Sequence, residues 1–284
     1  MFTDHSLVLG SGGITGIAWM TGLLLGLSEM GVDLRECGKM LGTSAGATVA
    51  AQIREDSDLW ELYERQVYTS KQVQELAPQI RLLRLLPLAM AILPKLNAPI
   101  ERTRRIGQLA LRAEAENAQA RQSVITARLH PRQDWPAKPL ALVAVDVLTG
   151  ETRMFDRRSG VGLADAVAAS CAVPGIWPPV NIDGRQYMDG GIRSSSNADL
   201  AERSSGVIIV SPLGANRGTP GRTLSRQIAK LEQSGTRVQV IGPDRTAAAA
   251  MGNNPLNPAR RAIAAQAGRA QGHLIATAFE QYWR

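Results

Sequence analysis

Three short segments of the sequence carry residue types that acyl transfer needs: residues 10–16, 42–46 and 189–191. Ser44 is the central residue of Gly-Thr-Ser-Ala-Gly, a G-x-S-x-G pattern in which small neighbours allow a sharp strand-to-helix turn that exposes the hydroxyl. A helix that begins there would direct its positive N-terminal end at the site and favour developing negative charge. A tight turn with a capping serine would give the same five residues, so this pattern alone leaves both interpretations open.

The glycines of residues 10–16 let backbone N–H groups converge on an anion. That anion is either the pyrophosphate of a dinucleotide or the oxyanion of acyl transfer, and a purely structural turn is the third interpretation. The spacing departs from the G-x-G-x-x-G fingerprint, because the third glycine comes one residue late. Asp33 lies at a distance along the chain that suits a ribose contact, but its surroundings do not resemble the end of a second parallel strand. Dinucleotide binding is therefore the less favoured alternative.

A serine nucleophile needs a base, and the histidines of this chain are poorly placed. His5 precedes the first predicted strand, His130 follows in a basic loop, and His273 falls in the last predicted helix. A carboxylate that acts directly on the serine is the alternative. Asp189 is the best candidate, because it ends a predicted strand and the two glycines after it leave the carboxylate room to approach. A simple hairpin turn would explain the same Asp-Gly-Gly.

Alternating strands and helices position these segments. Short strands are predicted at residues 7–9, 39–41, 140–146, 206–211 and 237–241. Helices are predicted at residues 17–30, from about 45, at 163–170, at about 223–234 and at about 258–282. Two hairpins are predicted, one through the turn at residues 149–150 and one over 182–188. This alternation indicates a mostly parallel sheet covered on both faces, with sites beyond the carboxyl ends of its strands.

Residues 58–128 are predicted to be helical and without strands. Pro78, Pro87, Pro94 and Pro99 divide this stretch into pieces. We interpret it as a helical insertion or cap within a single domain that spans residues 1–284.

Charge and cysteine content narrow the class of function. The net charge is +7, and residues 71–132 hold eleven basic and four acidic residues. A solvated helical face or an anionic membrane surface explains this excess better than nucleic acid, because no aromatic residues are interleaved and no zinc or RNA-binding signature is present.

Cys37 and Cys171 form neither a disulfide framework nor a metal-binding spacing. No basic start precedes an apolar run with a cleavage site. We therefore expect a cytoplasmic protein without metal or cofactor.

One part of the basic stretch has the composition of a membrane-docking segment. Arg81 and Arg84 are three residues apart among leucines in residues 80–86, and residues 88–93 continue the apolar run. Pro87 and Pro94 interrupt the run, so it cannot be one long spanning helix. Apolar residues flanked by arginines suit the interface of an anionic bilayer. Packing of these leucines onto the core is the alternative.

Together, the three segments resemble the patatin-like phospholipase family, in which a glycine-rich oxyanion loop, G-x-S-x-G and a late D-G-G follow in this order. Residues 169–179 resemble the family's A-S-x-x-x-P-x-x-F-x-P segment, with Trp177 in the aromatic place. Asp146 before a Thr-Gly turn, and Asn197 and Leu200 after D-G-G, are similar too. The resemblance covers about residues 7–57 and 140–210, and it depends on the joint order and spacing of these motifs.

The resemblance implies a three-layer α/β/α fold with a mostly parallel central sheet, and a hydrolase of lipid or phospholipid esters. It implies Ser44 as nucleophile, Asp189 as base without a histidine, and the Gly12 and Gly13 backbone amides as the oxyanion hole. It implies an acyl-serine intermediate and neither metal nor cofactor. The alternatives are a nucleotide-binding protein and a non-catalytic regulatory protein at a membrane surface.

Three positions depart from the family pattern. Thr15 stands where the family usually has Arg or Lys, and Ser11 replaces a glycine found in many members. Residues 192–197 replace the usual apolar-Asn-Asn-x-Pro run. These departures bear on the substrate class and on the catalytic rate rather than on the identity of the nucleophile.

Overall fold

Strands that are apolar on both faces form the centre of the fold. The computed structural model describes residues 3–54, 58–76, 99–111, 118–129, 134–201, 204–214 and 223–283. In the first strand, β1 (His5–Leu9), Leu7 and Leu9 pack into one hydrophobic cluster and Val8 packs into another. Successive side chains of a strand point to opposite faces, so this strand is buried between two layers.

Eight strands among the described residues belong to one sheet. The others are β2 (Lys39–Thr43), β3 (Leu140–Asp146), β4 (Thr152–Phe155), β5 (Val180–Ile182), β6 (Arg185–Asp189), β7 (Gly206–Val210) and β8 (Arg237–Ile241). Their order is β5-β6-β3-β2-β1-β7-β8, with β4 paired to β3. The run β3-β2-β1-β7-β8 is parallel, and β4, β5 and β6 pair antiparallel. The predicted mostly parallel sheet is therefore confirmed.

Helices cover both faces of the sheet. They are α1 (Gly13–Glu29), α2 (Ala45–Ile53), α3 (Leu59–Val67), α4 (Pro99–Ala110), α5 (Ala118–Leu129), α6 (Leu163–Ser170), α7 (Leu224–Gln233), α8 (Arg245–Met251) and α9 (Arg261–Trp283). Residues of α1, α2 and α9 share a hydrophobic cluster with one sheet face, and residues of α7 share a second cluster with the other. This is the predicted three-layer α/β/α arrangement.

Most predicted elements are observed close to their expected bounds, but two differ. The glycine loop was expected over residues 10–16, whereas α1 already begins at Gly13. Gly12 caps this helix without a side chain, so the usual sequence signal of a helix start is missing. The short helix α8 was not predicted. Its seven residues are too few for a clear period, although the Asp244 side chain accepts from the Ala247 N–H at 2.7 Å at its start.

Three helices, α3, α4 and α5, lie within residues 58–129, and a helical insertion was expected over residues 58–128. Pro78, Pro87 and Pro94, and the apolar segment with Arg81 and Arg84, lie outside the described residues. The assignment of this stretch as an insertion or cap of a single domain stays a prediction.

Glycines allow α1 and α9 to pack with their backbones in contact. A Cβ added to Gly22 would lie 2.0 Å from the Ala265 carbonyl oxygen, and one added to Gly268 would lie 2.2 Å from that of Trp19. A Cβ added to Gly26 would lie 2.2 Å from the Arg269 carbonyl oxygen, and one added to Gly272 would lie 2.6 Å from that of Leu23. Because backbone atoms cannot move aside as side chains do, these positions exclude any larger residue at this helix separation.

We expect Gly268→Ala to lower the free energy of unfolding by about 1–3 kcal/mol, because the new methyl group overpacks the contact with α1. In an exposed helix the same change would instead raise stability by up to about 1 kcal/mol. Urea unfolding followed by circular dichroism measures the difference. The matched control is Ala278→Gly on the exposed side of α9, which should cost about 1 kcal/mol. A more stable Gly268→Ala protein would contradict the packing argument.

Candidate active site

Ser44 lies on a strained turn between β2 and α2. Its backbone adopts φ 55° and ψ −117°, in the left-handed region that residues other than glycine rarely occupy. The flanking glycines make the turn possible: a Cβ on Gly46 would lie 1.9 Å from the Leu9 carbonyl oxygen, and one on Gly42 would lie 2.6 Å from Ala47 Cα. The spacing of the G-x-S-x-G pattern thus reflects two close backbone approaches on either side of the serine.

Hydrogen bonds from the 169–179 segment hold this turn. The Ser44 N–H donates to Ser170 Oγ at 2.9 Å, and Ser170 Oγ donates to the Val143 carbonyl oxygen of β3 at 2.6 Å. The Cys171 thiol donates to the Ser44 carbonyl oxygen at 3.2 Å. The sequence indicated this Ala-Ser-Cys segment only by its similarity to a family motif. Its structural role, which is to fix the peptide groups on both sides of Ser44, was not predicted.

The glycine loop approaches the same turn from β1. The Gly10 carbonyl oxygen accepts from the Gly46 N–H at 3.0 Å, and the Ser11 N–H donates to the Ser195 carbonyl oxygen at 2.7 Å. Gly13 has φ +61°, and a Cβ there would lie 2.6 Å from the Pro255 carbonyl oxygen. Within the described parts of the chain, the Gly12 and Gly13 N–H groups donate to no carbonyl oxygen. These two donors are therefore available to a bound group.

Asp189 ends β6 and is buried, with 3% of its surface exposed. Its Oδ1 accepts from the Gly191 N–H at 2.6 Å, whereas Oδ2 is buried and makes no hydrogen bond in the described structure. A residue larger than glycine does not fit directly after Asp189, since a Cβ on Gly190 would lie 2.3 Å from the Val143 carbonyl oxygen. Asp189 thus presents one satisfied and one unsatisfied carboxylate oxygen.

Burial raises the pKa of Asp189 from 3.8 to about 6. The Ser44 hydroxyl, the Gly191 N–H and the charge of Arg121 oppose this rise, because each favours the ionised carboxylate. The Ser44 hydroxyl therefore acts on the carboxylate, although the contact does not reach full hydrogen-bond geometry in the resting structure. Such contacts in a free enzyme are often long and shorten when substrate binds.

A buried asparagine ties the Asp-Gly-Gly segment to the strand that carries Ser44. Asn197 adopts φ 53°, and its Nδ2 donates to Thr43 Oγ1 and to the Gly190 carbonyl oxygen, each at 3.1 Å. Its Oδ1 accepts from Arg193 at 2.8 Å. The altered run at residues 192–197 is therefore packed and hydrogen-bonded beside the site.

One cavity of about 300 Å³ joins the three segments. Gly12, Gly13, Ser44 and Asp189 all line it. Much of the remaining wall is apolar and includes Ile14, Ile17, Leu76, Val173, Ile176 and Trp177. A pocket with convergent polar groups in an apolar wall suits an ester flanked by hydrocarbon.

Among the described residues, the structure places the other candidate residues away from this cavity. His5 stacks edge-on against Trp283, and His273 pairs with Glu29 on the surface at 2.6 Å. His130 lies outside the described residues. Asp33 caps a 3-10 turn and is engaged by Arg35, so its carboxylate is not free for a ribose hydroxyl. Thr15 is buried in the first turn of α1, and its N–H donates to the Pro255 carbonyl oxygen at 3.0 Å.

The sequence matches the model of a known family. The family model described as patatin-like phospholipase matches residues 7–202, a span that contains the glycine loop, the Ser44 turn and the Asp-Gly-Gly segment. The chain belongs to the patatin-like phospholipase family. This patatin-like protein is accordingly an ester hydrolase that acts on lipids.

Two solved structures match the patatin-like chain along nearly all of its length. VipD from Legionella pneumophila is 15% identical, with a TM-score of 0.47, and the match covers 96% of this chain and 67% of VipD. The type III effector protein ExoU is 15% identical, with a TM-score of 0.41, and the match covers 98% of this chain and 53% of ExoU. The chain therefore spans about half the length of ExoU.

Two features are absent from the described part of this patatin-like chain. No cluster of three or more His, Cys, Asp or Glu side chains there could hold a metal ion. No described helix has both the length and the apolar character that a membrane crossing requires.

The raised pKa of Asp189 predicts a stability cost that depends on pH. A carboxyl group that binds its proton more tightly in the folded state destabilises the fold as pH rises from 3.8 through about 6, and the full cost applies above that. We expect Asp189→Asn to raise the free energy of unfolding by up to about 3 kcal/mol at pH 7.5, with a gain that shrinks toward pH 4. Denaturant unfolding at several pH values measures this.

The control for this measurement is Asp134→Asn, which changes an exposed carboxylate in the same way and should give no such gain. An Asp189→Asn protein that is equally or less stable at pH 7.5 would mean that burial of the ionised carboxylate is compensated elsewhere.

Proposed function

We propose that the protein cleaves lipid esters with Ser44 as nucleophile, Asp189 as its general base, and the Gly12 and Gly13 amides as the oxyanion hole. The observation that carries this proposal is that all four residues line one cavity, with two amide donors and one carboxylate oxygen left without partners in the described structure. Acyl transfer requires a hydroxyl nucleophile, a base and two free N–H donors around one space.

The catalytic cycle uses Asp189 twice. Asp189 Oδ2 takes the Ser44 proton as Oγ attacks the ester carbonyl carbon, and the carbonyl oxygen becomes an oxyanion that accepts from the Gly12 and Gly13 N–H groups. The intermediate collapses, the protonated Asp189 returns its proton to the leaving alcohol, and the acyl group stays on Ser44. Water then attacks the acyl-Ser44 with Asp189 as base, and the carboxylic acid leaves as the Ser44 proton is restored.

The environment of Asp189 suits this role. An ordinary aspartate is a weak base for an alcohol, and burial makes it stronger by raising its pKa to about 6. At neutral pH the group is still ionised and can accept a proton. The Gly191 N–H holds Oδ1 at 2.6 Å, so the carboxylate keeps its orientation while Oδ2 receives the proton.

Two other functions compete with hydrolysis. A nucleotide-binding protein would use the glycine loop for a pyrophosphate, but the carboxylate of Asp33 is engaged by Arg35. A regulatory protein at a membrane surface would keep the fold without turnover. A fluorophosphonate probe separates these functions, because covalent labelling of Ser44 requires an activated serine.

The cellular setting stays a prediction of the sequence. We propose a cytoplasmic protein whose segment with Arg81 and Arg84 contacts an anionic membrane peripherally. Apolar residues flanked by arginines support this contact, and a lipid hydrolase needs access to its substrate.

Ser44→Ala and Asp189→Asn should each lower kcat for a short p-nitrophenyl ester by on the order of 10³-fold or more, because one removes the nucleophile and the other the base. Ser44→Ala should also abolish fluorophosphonate labelling. Spectrophotometric assays and mass spectrometry of the labelled peptide provide the measurements, and circular dichroism verifies that both variants fold.

Matched histidine variants test the absence of a triad. His273→Gln changes a surface residue paired with Glu29, and together with His130→Gln it should leave kcat within about threefold. A histidine variant as inactive as Ser44→Ala would contradict the Ser–Asp dyad.

The dyad also predicts the acid side of the pH profile. Asp189 is a base only when ionised, so kcat/KM for an uncharged ester should fall about tenfold per pH unit below about pH 6. The measurement uses a p-nitrophenyl ester whose own ionisation does not change in this range. A fall centred near pH 4 would mean that the working carboxylate is not desolvated as Asp189 is.

A further inference from the structure

Among the described residues, one arginine that lines the proposed catalytic cavity has no carboxylate partner. Arg121 lies on α5, and its Cζ is 4.4 Å from the centroid of the Trp177 ring. Both residues border the cavity that contains Ser44. Within the described ranges, Arg121 forms neither a salt bridge nor a hydrogen bond. Stacking on an aromatic face fixes a guanidinium and leaves its edge N–H groups free to bind a ligand.

A second arginine on the same helix, Arg128, is paired with a carboxylate. Arg128 comes seven residues, or about two helical turns, after Arg121 and lines the same cavity. Its guanidinium bonds both oxygens of Glu75, at 3.2 and 2.5 Å. Arg261 lies 3.5 Å from the same Glu75. Glu75, a carboxylate that also lines the cavity, is thus already shared by two arginines.

The cavity gives a positive charge at Arg121 little compensation. Burial lowers the pKa of Arg121 to about 10, so the guanidinium remains protonated at neutral pH. Asp189 acts on it only through space, without a salt bridge. A cation in an apolar wall is costly unless an anion pairs with it. Arg102 is another buried arginine without a carboxylate partner in the described structure, but it does not line this cavity.

We propose that Arg121, stacked on Trp177, binds the phosphate group of a phospholipid while Ser44 attacks one of its acyl esters. This inference rests on the proposed function, since the phosphate is placed usefully only if the ester carbonyl reaches Ser44. A guanidinium binds phosphate through paired N–H···O bonds that a neutral glyceride cannot make. The phosphate and the acyl esters of a phospholipid are only a few bonds apart, so one cavity can hold both.

The competing role for Arg121 is electrostatic support of Asp189. The charge of Arg121 lowers the pKa of that carboxylate, so its loss would weaken or shift the base for every substrate equally. A phosphate-binding role affects only substrates that carry the phosphate. The two roles can therefore be separated by the ratio of kcat/KM between two substrates that differ only in the phosphate-containing head group.

The kinetic test compares dihexanoyl phosphatidylglycerol with dihexanoylglycerol, both as dissolved monomers. Arg121→Gln should lower kcat/KM for the phospholipid by roughly 10–100-fold relative to the neutral ester. The control Arg105→Gln removes an exposed arginine that pairs with Glu101 in the same basic stretch, and it should change neither value. An equal loss on both substrates, with an acid limb moved to higher pH, would overturn the proposal in favour of support for Asp189. No loss on either would overturn it too.

A binding test does not depend on turnover. In the Ser44→Ala protein, titration calorimetry with decyl phosphate, decanol and inorganic phosphate should show decyl phosphate bound at least tenfold more tightly than the other two, and Arg121→Gln in that background should remove the difference. Preference for inorganic phosphate would assign the site to free phosphate and overturn the lipid assignment. If the Ser44 variant binds as expected while the wild type hydrolyses no ester, the proposed function fails and the phosphate site stands.

Discussion

The strained turn at Ser44 is the constraint on which the rest of the site depends. A left-handed conformation at a residue other than glycine costs on the order of 1–3 kcal/mol, so the surroundings must hold it. Ser170 and Cys171 fix the peptide groups before and after Ser44, and the Gly46 backbone lies against the end of β1. Because these contacts come from elements far apart in the chain, the serine is exposed to the cavity only once the sheet and α6 are assembled.

In its proposed role as general base, Asp189 must meet two opposing requirements on its burial. A solvated carboxylate would be too weak a base for a serine hydroxyl, whereas a fully desolvated one would stay protonated at neutral pH. The pKa of about 6 lies between these limits because the Ser44 hydroxyl, the Gly191 N–H and the charge of Arg121 each favour the ionised form against burial. The same burial costs folding free energy, which is the usual relation between an active site and stability.

The parts of this structure that could be predicted are those with local sequence signals. Apolar runs such as residues 7–9 and 206–210 identified strands, and glycines on both sides of Ser44 identified the turn. The start of α1 was misplaced because Gly12 caps it without a side chain. The roles of Glu75, Arg121 and Ser170 depend on contacts between distant segments. The seven-residue spacing of Arg121 and Arg128 was the only local signal that they share a helix face.

The hydrogen-bond partners of other buried arginines differ from the surroundings of Arg121. The Arg54 guanidinium donates to the Pro139, Cys37 and Gly38 carbonyl oxygens among others, and Arg193 pairs with both oxygens of Asp199. In each case the chain itself supplies the acceptors, which makes the charge part of the structure. At Arg121 the neighbouring carboxylate is bound to other arginines and the remaining wall is largely apolar. Within the described residues, Arg121 is held against the Trp177 ring and has no side-chain acceptor, so our proposal is that its acceptor arrives with the substrate.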